Sequence, residues 1–248
     1  MAGFFMSKNI NQELLSFGQG NAKLSKSIST FSLPAGHSCP GAHECLTRAD
    51  PDTGKLSDGR HTTYRCFAAS QEAVFTNVRA ARWANMQLLN KARTEDAMTQ
   101  LLNQSLPKMA FAVRIHVSGD FFNQAYFDAW AAVARLRPFT RFYAYTKSLQ
   151  YWVARFNDIP ANLRLVASRG GKFDHLIGEF ELPEAVVYFH PEDAAAAGVL
   201  VDHDDSLAMD PTVKKFGLLL HGGQPAGSPA IAAIKRMKAE DVTYSYSR

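Results

Sequence analysis

The strongest constraint on the fold is a regular alternation of strand-like and helix-like segments after residue 110. Short segments rich in branched and aromatic residues predict strands over 110–118, 141–146, 163–169, 184–190 and 216–221. Amphipathic segments predict helices over 123–137, 148–157 and 228–240. Strands joined by helical crossovers form a mainly parallel sheet. Because a closed barrel needs more strands than these, we expect an α/β fold with an open or partial parallel barrel, and a doubly wound sheet is the alternative.

The preceding part of the chain is expected to belong to the same single α/β domain, residues 1–248. Residues 1–67 form an N-terminal segment with a cysteine-bearing loop and a short strand at 27–34, and 68–248 form a helical region followed by the βα repeats. Two helical pieces are predicted between Ala68 and Leu106. The N-terminus lacks the pattern of a secretion signal, and no apolar run approaches the ~18 residues of a membrane span. A cytoplasmic protein without membrane contact is therefore expected.

All three cysteines lie in one loop that is too rich in Gly, Pro and Asp to be core. Cys39, Cys45 and Cys66 have the spacing C-x5-C-x20-C. In a reducing compartment an odd set of thiols favours metal binding over disulfides. Thiolates bind zinc or iron–sulfur clusters, and the spacing does not choose between them. A structural zinc needs a fourth ligand, for which the loop offers His37, His43 and His61. Three unconnected thiols are the plain alternative.

Polar or small residues follow every predicted strand. In parallel α/β folds the carboxyl ends of the strands carry ligands and catalysis. The residues at these ends are Ser118, Gly119, Asp120, Thr146, Lys147, Ser148, Ser168, Arg169, Gly170, His190, Pro191, His221, Gly222 and Gly223.

From this set we predict a catalytic pair and a cofactor-binding group. Asp120 and Lys147 are the catalytic candidates, expected as a buried ion pair that is either structural or catalytic. The cofactor-binding candidates are Ser118, Gly119, Asp120, Thr146, Ser168, Arg169 and His221. Asp120, Lys147, Arg169 and His221 are expected to surround one cavity, with the cysteine loop closing the same end of the sheet.

Charge is distributed unevenly although the net charge is only +4. Residues 135–172 contain eight basic residues and one acidic residue, interleaved with aromatics, whereas 173–213 contain ten acidic residues and no Lys or Arg. A basic aromatic surface can bind nucleic acid or a host protein, but core aromatics with solvated cations are the favoured interpretation. The carboxylates at 202–205 offer magnesium ligands to a nuclease, and a solvated acidic loop is favoured there as well.

Four segments resemble the gene product 88 family of phage and plasmid proteins. They are "GNAKLSKSISTFSLPAGHSCPGAHEC", "YRCFAA", "RIHVSGDFFNQAYFDAWAAVARLRP" and "FYAYTKSL", and the similarity runs from about Gly20 to Gly171. The resemblance implies a phage or plasmid origin and supplies no reaction. Family members carry further cysteines near the C-terminus, which this sequence lacks, so a second metal site of the family is expected to be absent.

A more distant likeness is to radical S-adenosylmethionine enzymes, which carry a three-cysteine loop at the mouth of an α/β barrel. Ser118-Gly119-Asp120 is similar to their turn that meets the amino group of the cofactor. The likeness implies a 4Fe–4S cluster and S-adenosylmethionine as cofactors. The cysteine spacing departs from their C-x3-C-x2-C pattern, so the likeness is one of fold.

Two functions from different classes follow. The first is an iron–sulfur enzyme, in which a cluster on Cys39, Cys45 and Cys66 faces the carboxyl-end residues and acts on an unknown substrate. The alternative is a zinc-stapled module without catalysis that binds nucleic acid or a partner protein through 135–172. Redox sensing by the cysteines ranks third, because no C-x-x-C motif is present. The metal content and colour of the protein discriminate between the first two.

Overall fold

The computed structural model describes residues 13–242, in which four strands and three helices precede an alternation of strands and helices that begins at residue 112. The expectation of no secretion signal falls partly on residues 1–12, outside this range. The strands are β1 (Gly18–Gln19), β2 (Ile28–Ser32), β3 (Thr47–Ala49), β4 (Leu56–Asp58), β5 (Ala112–Ser118), β6 (Arg141–Thr146), β7 (Leu163–Ser168), β8 (Glu184–Tyr188) and β9 (Lys215–Leu219). The helices are α1 (Phe67–Val74), α2 (Thr76–Ala92), α3 (Glu95–Ser105), α4 (Gln124–Leu136), α5 (Leu149–Val153), α6 (His175–Glu179), α7 (Pro191–Ala196), α8 (Ser206–Met209) and α9 (Pro229–Ala239), with one 3₁₀ turn at Phe156–Asp158.

The main sheet has seven strands in the order β1-β2-β5-β6-β7-β8-β9. Only the β1–β2 pair is antiparallel among the pairs of this sheet, and the five pairs from β2 to β9 are parallel. The predicted mixed α/β fold with a mostly parallel sheet is therefore confirmed, and the short strand predicted at 27–34 joins the five later strands as β2. The strand order never reverses, so the sheet lacks the switch point of a doubly wound fold. The partial barrel stays a prediction.

The helical region before β5 contains three helices, not the two predicted. The first predicted helix is interrupted at Phe75, whose backbone is extended with φ −106° and ψ 100°. The break brings Arg82 of α2 back to Glu72 of α1, at 2.8 Å. In one continuous helix, residues ten apart are separated by about 15 Å along the axis, so the ion pair requires the break. The predicted helix over 148–157 is likewise shorter and ends in the 3₁₀ turn.

The larger core lies between the sheet and helices α3 and α4. In α4, Phe127, Trp130 and Val133 are buried at helical spacing, and they join a cluster that includes Phe31 and Phe142. A second cluster lies on another part of the sheet and includes Tyr143, Phe216 and residues of α8. No helix within residues 13–242 is long and apolar enough to cross a membrane.

Candidate functional site

The cysteine loop, residues 37–66, lies against the carboxyl ends of the parallel strands. Ala42 forms an antiparallel bridge with Gly171, just beyond β7. Gly41 lies so close to the residue after β6 that an added Cβ would be 2.1 Å from the carbonyl oxygen of Lys147. The loop therefore covers the end of the sheet where a parallel α/β fold carries its sites.

The three thiols are free, and neighbouring charges act on those of Cys39 and Cys45. Each cysteine is half-buried, and none forms a disulfide. Burial raises the pKa of Cys39 well above its usual value, and the charges of Asp120, Cys66 and Cys45 raise it further. Burial also raises the pKa of Cys45 to about 11, although the Lys147 ammonium opposes this change. Burial and the neighbouring negative charges therefore favour the protonated forms of the Cys39 and Cys45 thiols.

Within the described part of the chain, no set of three or more Cys, His, Asp or Glu side chains forms a ready-made site for a metal ion. The histidines considered as a fourth zinc ligand have other contacts. The Nε2 atom of His37 lies 2.9 Å from the carbonyl oxygen of Ala49, and His43 stacks on His61 with ring centroids 4.5 Å apart. Metal ligation by the three cysteines stays a prediction.

Asp120 joins the carboxyl ends of β5 and β6. Its buried carboxylate accepts hydrogen bonds from the backbone N–H of Phe121 at 2.7 Å, the hydroxyl of Thr146 at 2.6 Å and the backbone N–H of Lys147 at 2.8 Å. Burial raises the pKa of Asp120, and these hydrogen bonds oppose the change. The carboxylate thus holds two strand ends in register beneath the cysteine loop.

Lys147 makes the corresponding link between β6 and β7. Its ammonium donates to the carbonyl oxygen of Ser168 at 2.9 Å and to that of Arg169. The expected ion pair with Asp120 is not formed, because the ammonium binds these two carbonyl oxygens while Asp120 binds the backbone of Lys147. Both catalytic candidates therefore contact backbone groups at the strand ends.

The remaining candidates lie at the same end of the sheet in different settings. The Ser118 hydroxyl donates to the carbonyl oxygen of Leu33 at 2.8 Å. Gly119 has a φ of +85°, and an added Cβ would meet the hydroxyl of Ser38 at 2.5 Å. Arg169 forms an ion pair with Glu184 at the start of β8.

Glu72 is a buried residue of this region that sequence reasoning missed. One of its oxygens, Oε1, accepts from the backbone N–H of Ala35 at 2.9 Å, from Arg82 at 2.8 Å and from the hydroxyl of Ser118 at 3.3 Å. It therefore ties α1, which directly follows Cys66, to the ends of β2 and β5. The signal in the sequence is a glutamate on the same helical face as Ala68 and Ala69, the two buried alanines of α1.

A cavity of about 160 Å³ lies next to Cys66. Its lining residues are Lys23, Tyr64, Arg65, Cys66, Phe67, Ala68, Arg114, Val117, Tyr145, Val187, Leu218, Leu219, Leu220 and His221. Burial lowers the pKa of His221 to about 4, and its ring packs on Phe67 at 4.5 Å. Of the four residues expected to surround one cavity, His221 lines this one, whereas Asp120, Lys147 and Arg169 do not.

Several side chains of the basic aromatic stretch 135–172 are buried in the core or form ion pairs within the protein. Phe142 and Tyr143 are buried in the two cores, and Arg155 pairs with Asp128 at 2.7 Å. Phe139, by contrast, is 96% exposed. Core aromatics thus account for part of this stretch, and a nucleic-acid or protein partner there stays a prediction.

The acidic residues at 202–205 are not all solvated, contrary to the favoured interpretation. Asp205 is fully buried and forms ion pairs with Lys23 at 2.8 Å and Arg114 at 2.7 Å. Burial alone would raise the pKa of Asp205, but Arg114 and Lys23 hold it below its usual value. These two cations, which come from distant parts of the sequence, explain why a carboxylate enters the core.

Comparison with known proteins gives one family and one curated relative. A sequence profile described as "Gene product 88" matches residues 8–240. The "Gene 88 protein" of Mycobacterium phage L5 is 33% identical over 93 residues, which cover 33% of this chain and 38% of the relative. The chain thus spans about 38% of the length of the curated relative that it matches. No solved structure matches.

Proposed function

The chain belongs to the gene product 88 family of phage proteins, and on that premise we propose that it is an iron–sulfur protein whose cluster is held by Cys39, Cys45 and Cys66. We propose further that it is an enzyme of the radical S-adenosylmethionine kind, acting at the carboxyl-end residues of a partial barrel. The cytoplasm, where thiols stay reduced, is the compartment that suits such a site.

One observation carries the proposal: three free thiols lie in the loop that covers the carboxyl ends of the strands, and the charge of Cys66 contributes to the raised pKa values of Cys39 and Cys45. Soft thiolates are the donors that iron–sulfur clusters use. Thiolates on separate corners of a cluster lie farther apart than the ligands of one ion, so the proposal does not require the tight set of a zinc site.

The hydrogen bonds of Asp120 and Lys147 support a role for these residues in positioning the strand ends. Asp120 and Lys147 connect β5, β6 and β7 beneath the cysteine loop. A cluster with three protein ligands leaves one iron for an outside ligand, and S-adenosylmethionine is the one that the fold-level likeness suggests. The proposed contacts for S-adenosylmethionine are Ser118, Gly119, Thr146, Ser168, Arg169 and His221.

The test is purification without oxygen, followed by iron, sulfide and zinc analysis. We expect a brown protein with iron and acid-labile sulfide in stoichiometric amounts, and an electron paramagnetic resonance signal after reduction that changes when S-adenosylmethionine is added. Cys39→Ser, Cys45→Ser and Cys66→Ser should each lose most of the iron. Thr53→Ser is the matched control, because this exposed residue of the same loop keeps its hydroxyl contact with Asp50.

Two results would overturn the proposal. A colourless protein with stoichiometric zinc would replace it with the zinc-stapled binding module. A protein that takes up neither metal, even after reconstitution with iron and sulfide, would leave three unconnected thiols. An iron–sulfur signal that ignores S-adenosylmethionine would reject that cofactor while keeping the cluster.

A further inference from the structure

We propose that the cavity beside Cys66 binds a small organic anion, with a carboxylate at one end and a compact apolar body. The cavity lies between the start of α1 and strands β5, β6, β8 and β9. Binding of the anion requires no metal. Its role as a substrate rests on the proposed function, because Cys66 is both a wall of the cavity and a proposed cluster ligand.

The charged groups around the cavity favour an anion. Lys23, Arg65 and Arg114 line it, and no Asp or Glu is among its lining residues in the described chain. The carboxylates that pair with these cations lie outside the lining: Asp205 pairs with Lys23 and Arg114, and Asp58 pairs with Arg65. A guanidinium carries several N–H donors in a planar fork, so it can contact a carboxylate on each side.

The start of α1 adds donors at the same wall. Cys66, Phe67 and Ala68 line the cavity, and Cys66 is the N-cap of α1 without a side-chain hydrogen bond to the helix. The first N–H groups of a helix favour an anion. Tyr64 also lines the cavity with a hydroxyl-bearing side chain, whereas the hydroxyl of Tyr145, another lining residue, donates to Asp205 at 3.2 Å. The carboxylate end of the ligand therefore belongs beside α1 and the cations.

Apolar residues form another part of the lining and set the size of the ligand. Val117, Val187, Leu218 and Leu220 line the cavity from β5, β8 and the β9 region. Its volume is about 160 Å³, and an apolar cavity of about 150 Å³ is known to hold benzene. A ligand of that size, with one carboxylate, matches both the charge and the volume.

The test uses benzoate as a probe, with benzamide as its neutral match and inorganic phosphate as a bare anion. Calorimetry on the full chain should show saturable benzoate binding. Benzamide should bind at least about tenfold more weakly, since loss of the charge contact is expected to cost about one decade in affinity. Phosphate should compete only weakly, because it cannot use the apolar wall.

Leu218→Phe fills the cavity and should weaken benzoate binding at least about tenfold. Leu136→Phe is the control, because Leu136 is 58% exposed and lies outside the cavity. Benzoate must also bind to the Cys39→Ser variant, which tests the site without a cluster. The inference would be overturned if benzamide or phosphate bound as tightly as benzoate, or if benzoate showed no saturable binding. It would also be overturned if Leu218→Phe bound benzoate as tightly as the wild type. Benzoate binding in a protein that takes up no iron would uphold this site and reject the proposed function alone.

Discussion

At the scale of single residues, His116 shows how the chain shapes the end of β5. This buried residue has a φ of +66°, which is uncommon for a residue other than glycine. It lies where the β2–β5 register changes between Thr30 and Ser32, just before Ser118-Gly119-Asp120. Its Nε2 atom lies 3.0 Å from the hydroxyl of Tyr126, and burial lowers its pKa to about 3. The irregular strand end is thus built around a neutral histidine.

We predict that His116 makes the protein sensitive to acid. Its folded-state pKa of about 3 lies below the ordinary 6.5, so the unfolded chain binds the proton first as pH falls. Stability is lost between about pH 6.5 and 3, with a slope of up to about 1.4 kcal/mol per pH unit for one histidine. His116→Asn keeps a residue that tolerates positive φ and removes the proton site.

The measurement is the free energy of unfolding in urea between pH 6.5 and 4, compared as a slope because the substitution also changes the absolute stability. The His116→Asn slope should be smaller than that of the wild type. His175→Asn, at an exposed position, should leave the slope nearly unchanged. Equal slopes for wild type and His116→Asn would show that this histidine does not set the acid response.

Which residues sequence reasoning could find depends on where their partners lie. Asp120 and Lys147 were predictable as residues of the carboxyl-end site because they lie two residues and one residue beyond the end of a strand. Their hydrogen-bond partners were not, because these are backbone groups whose positions follow from the register of β5, β6 and β7. Asp205 was misjudged for the same reason, since Lys23 and Arg114 are 182 and 91 residues away along the chain.

At the scale of elements, the cysteine loop is held on the sheet by backbone contacts as well as side chains. Ala42 pairs with Gly171, and the backbone N–H of Lys172 donates to the carbonyl oxygen of Gly41 at 2.9 Å. The predictable part was the position of the loop at the carboxyl ends, which follows from parallel topology. The break between α1 and α2 was not predictable from helical periodicity, because the Glu72–Arg82 pair that accompanies it joins side chains of two different helices.

We predict that Gly41→Ala displaces the cysteine loop. The added Cβ would lie 2.1 Å from the Lys147 carbonyl oxygen and 2.9 Å from the Ser148 nitrogen, and backbone atoms cannot move aside as a flexible side chain does. Overpacking of this kind costs about 1–3 kcal/mol. Thermal unfolding should show the loss, and limited proteolysis should cut the loop sooner than in the wild type.

Gly178→Ala is the matched control for this change. Gly178 lies in α6, and an added Cβ meets nothing within 4 Å. Alanine there should stabilise the protein by about 0.5–1 kcal/mol, because glycine loses more backbone entropy in a helix. If Gly41→Ala behaved like Gly178→Ala, the loop would not be seated on β6 as described.

At the scale of the whole molecule, the parallel pair of the main sheet with the fewest paired positions is β7–β8. These strands pair at only two positions, Ala167↔Glu184 and Ser168↔Ala185, whereas β6–β7 and β8–β9 each pair at five. Asp205 lies in the segment between β8 and β9 and contacts the first half of the sheet. It pairs with Arg114 of β5 and accepts a hydrogen bond from the Tyr143 hydroxyl of β6 at 3.0 Å. Asp205 therefore couples the two halves, together with the Arg169–Glu184 ion pair and the hydrogen bond from Arg164 to the carbonyl oxygen of Val213 at 2.6 Å.

We predict that the wild type unfolds in one transition and that Asp205→Asn separates the two halves. The three tryptophans, Trp83, Trp130 and Trp152, all precede β7, so their fluorescence reports on the first half, whereas far-UV circular dichroism also senses β8, β9 and α9. Coincident transitions indicate two-state unfolding. Breaking a buried ion pair costs about 3–5 kcal/mol, and Asp205→Asn should make the circular dichroism transition begin at lower urea than the fluorescence transition.

Asp204→Asn, at the exposed neighbouring position, should keep the two curves together. Separate curves in the wild type, or coincident curves in Asp205→Asn, would mean that Asp205 does not couple the halves of the sheet.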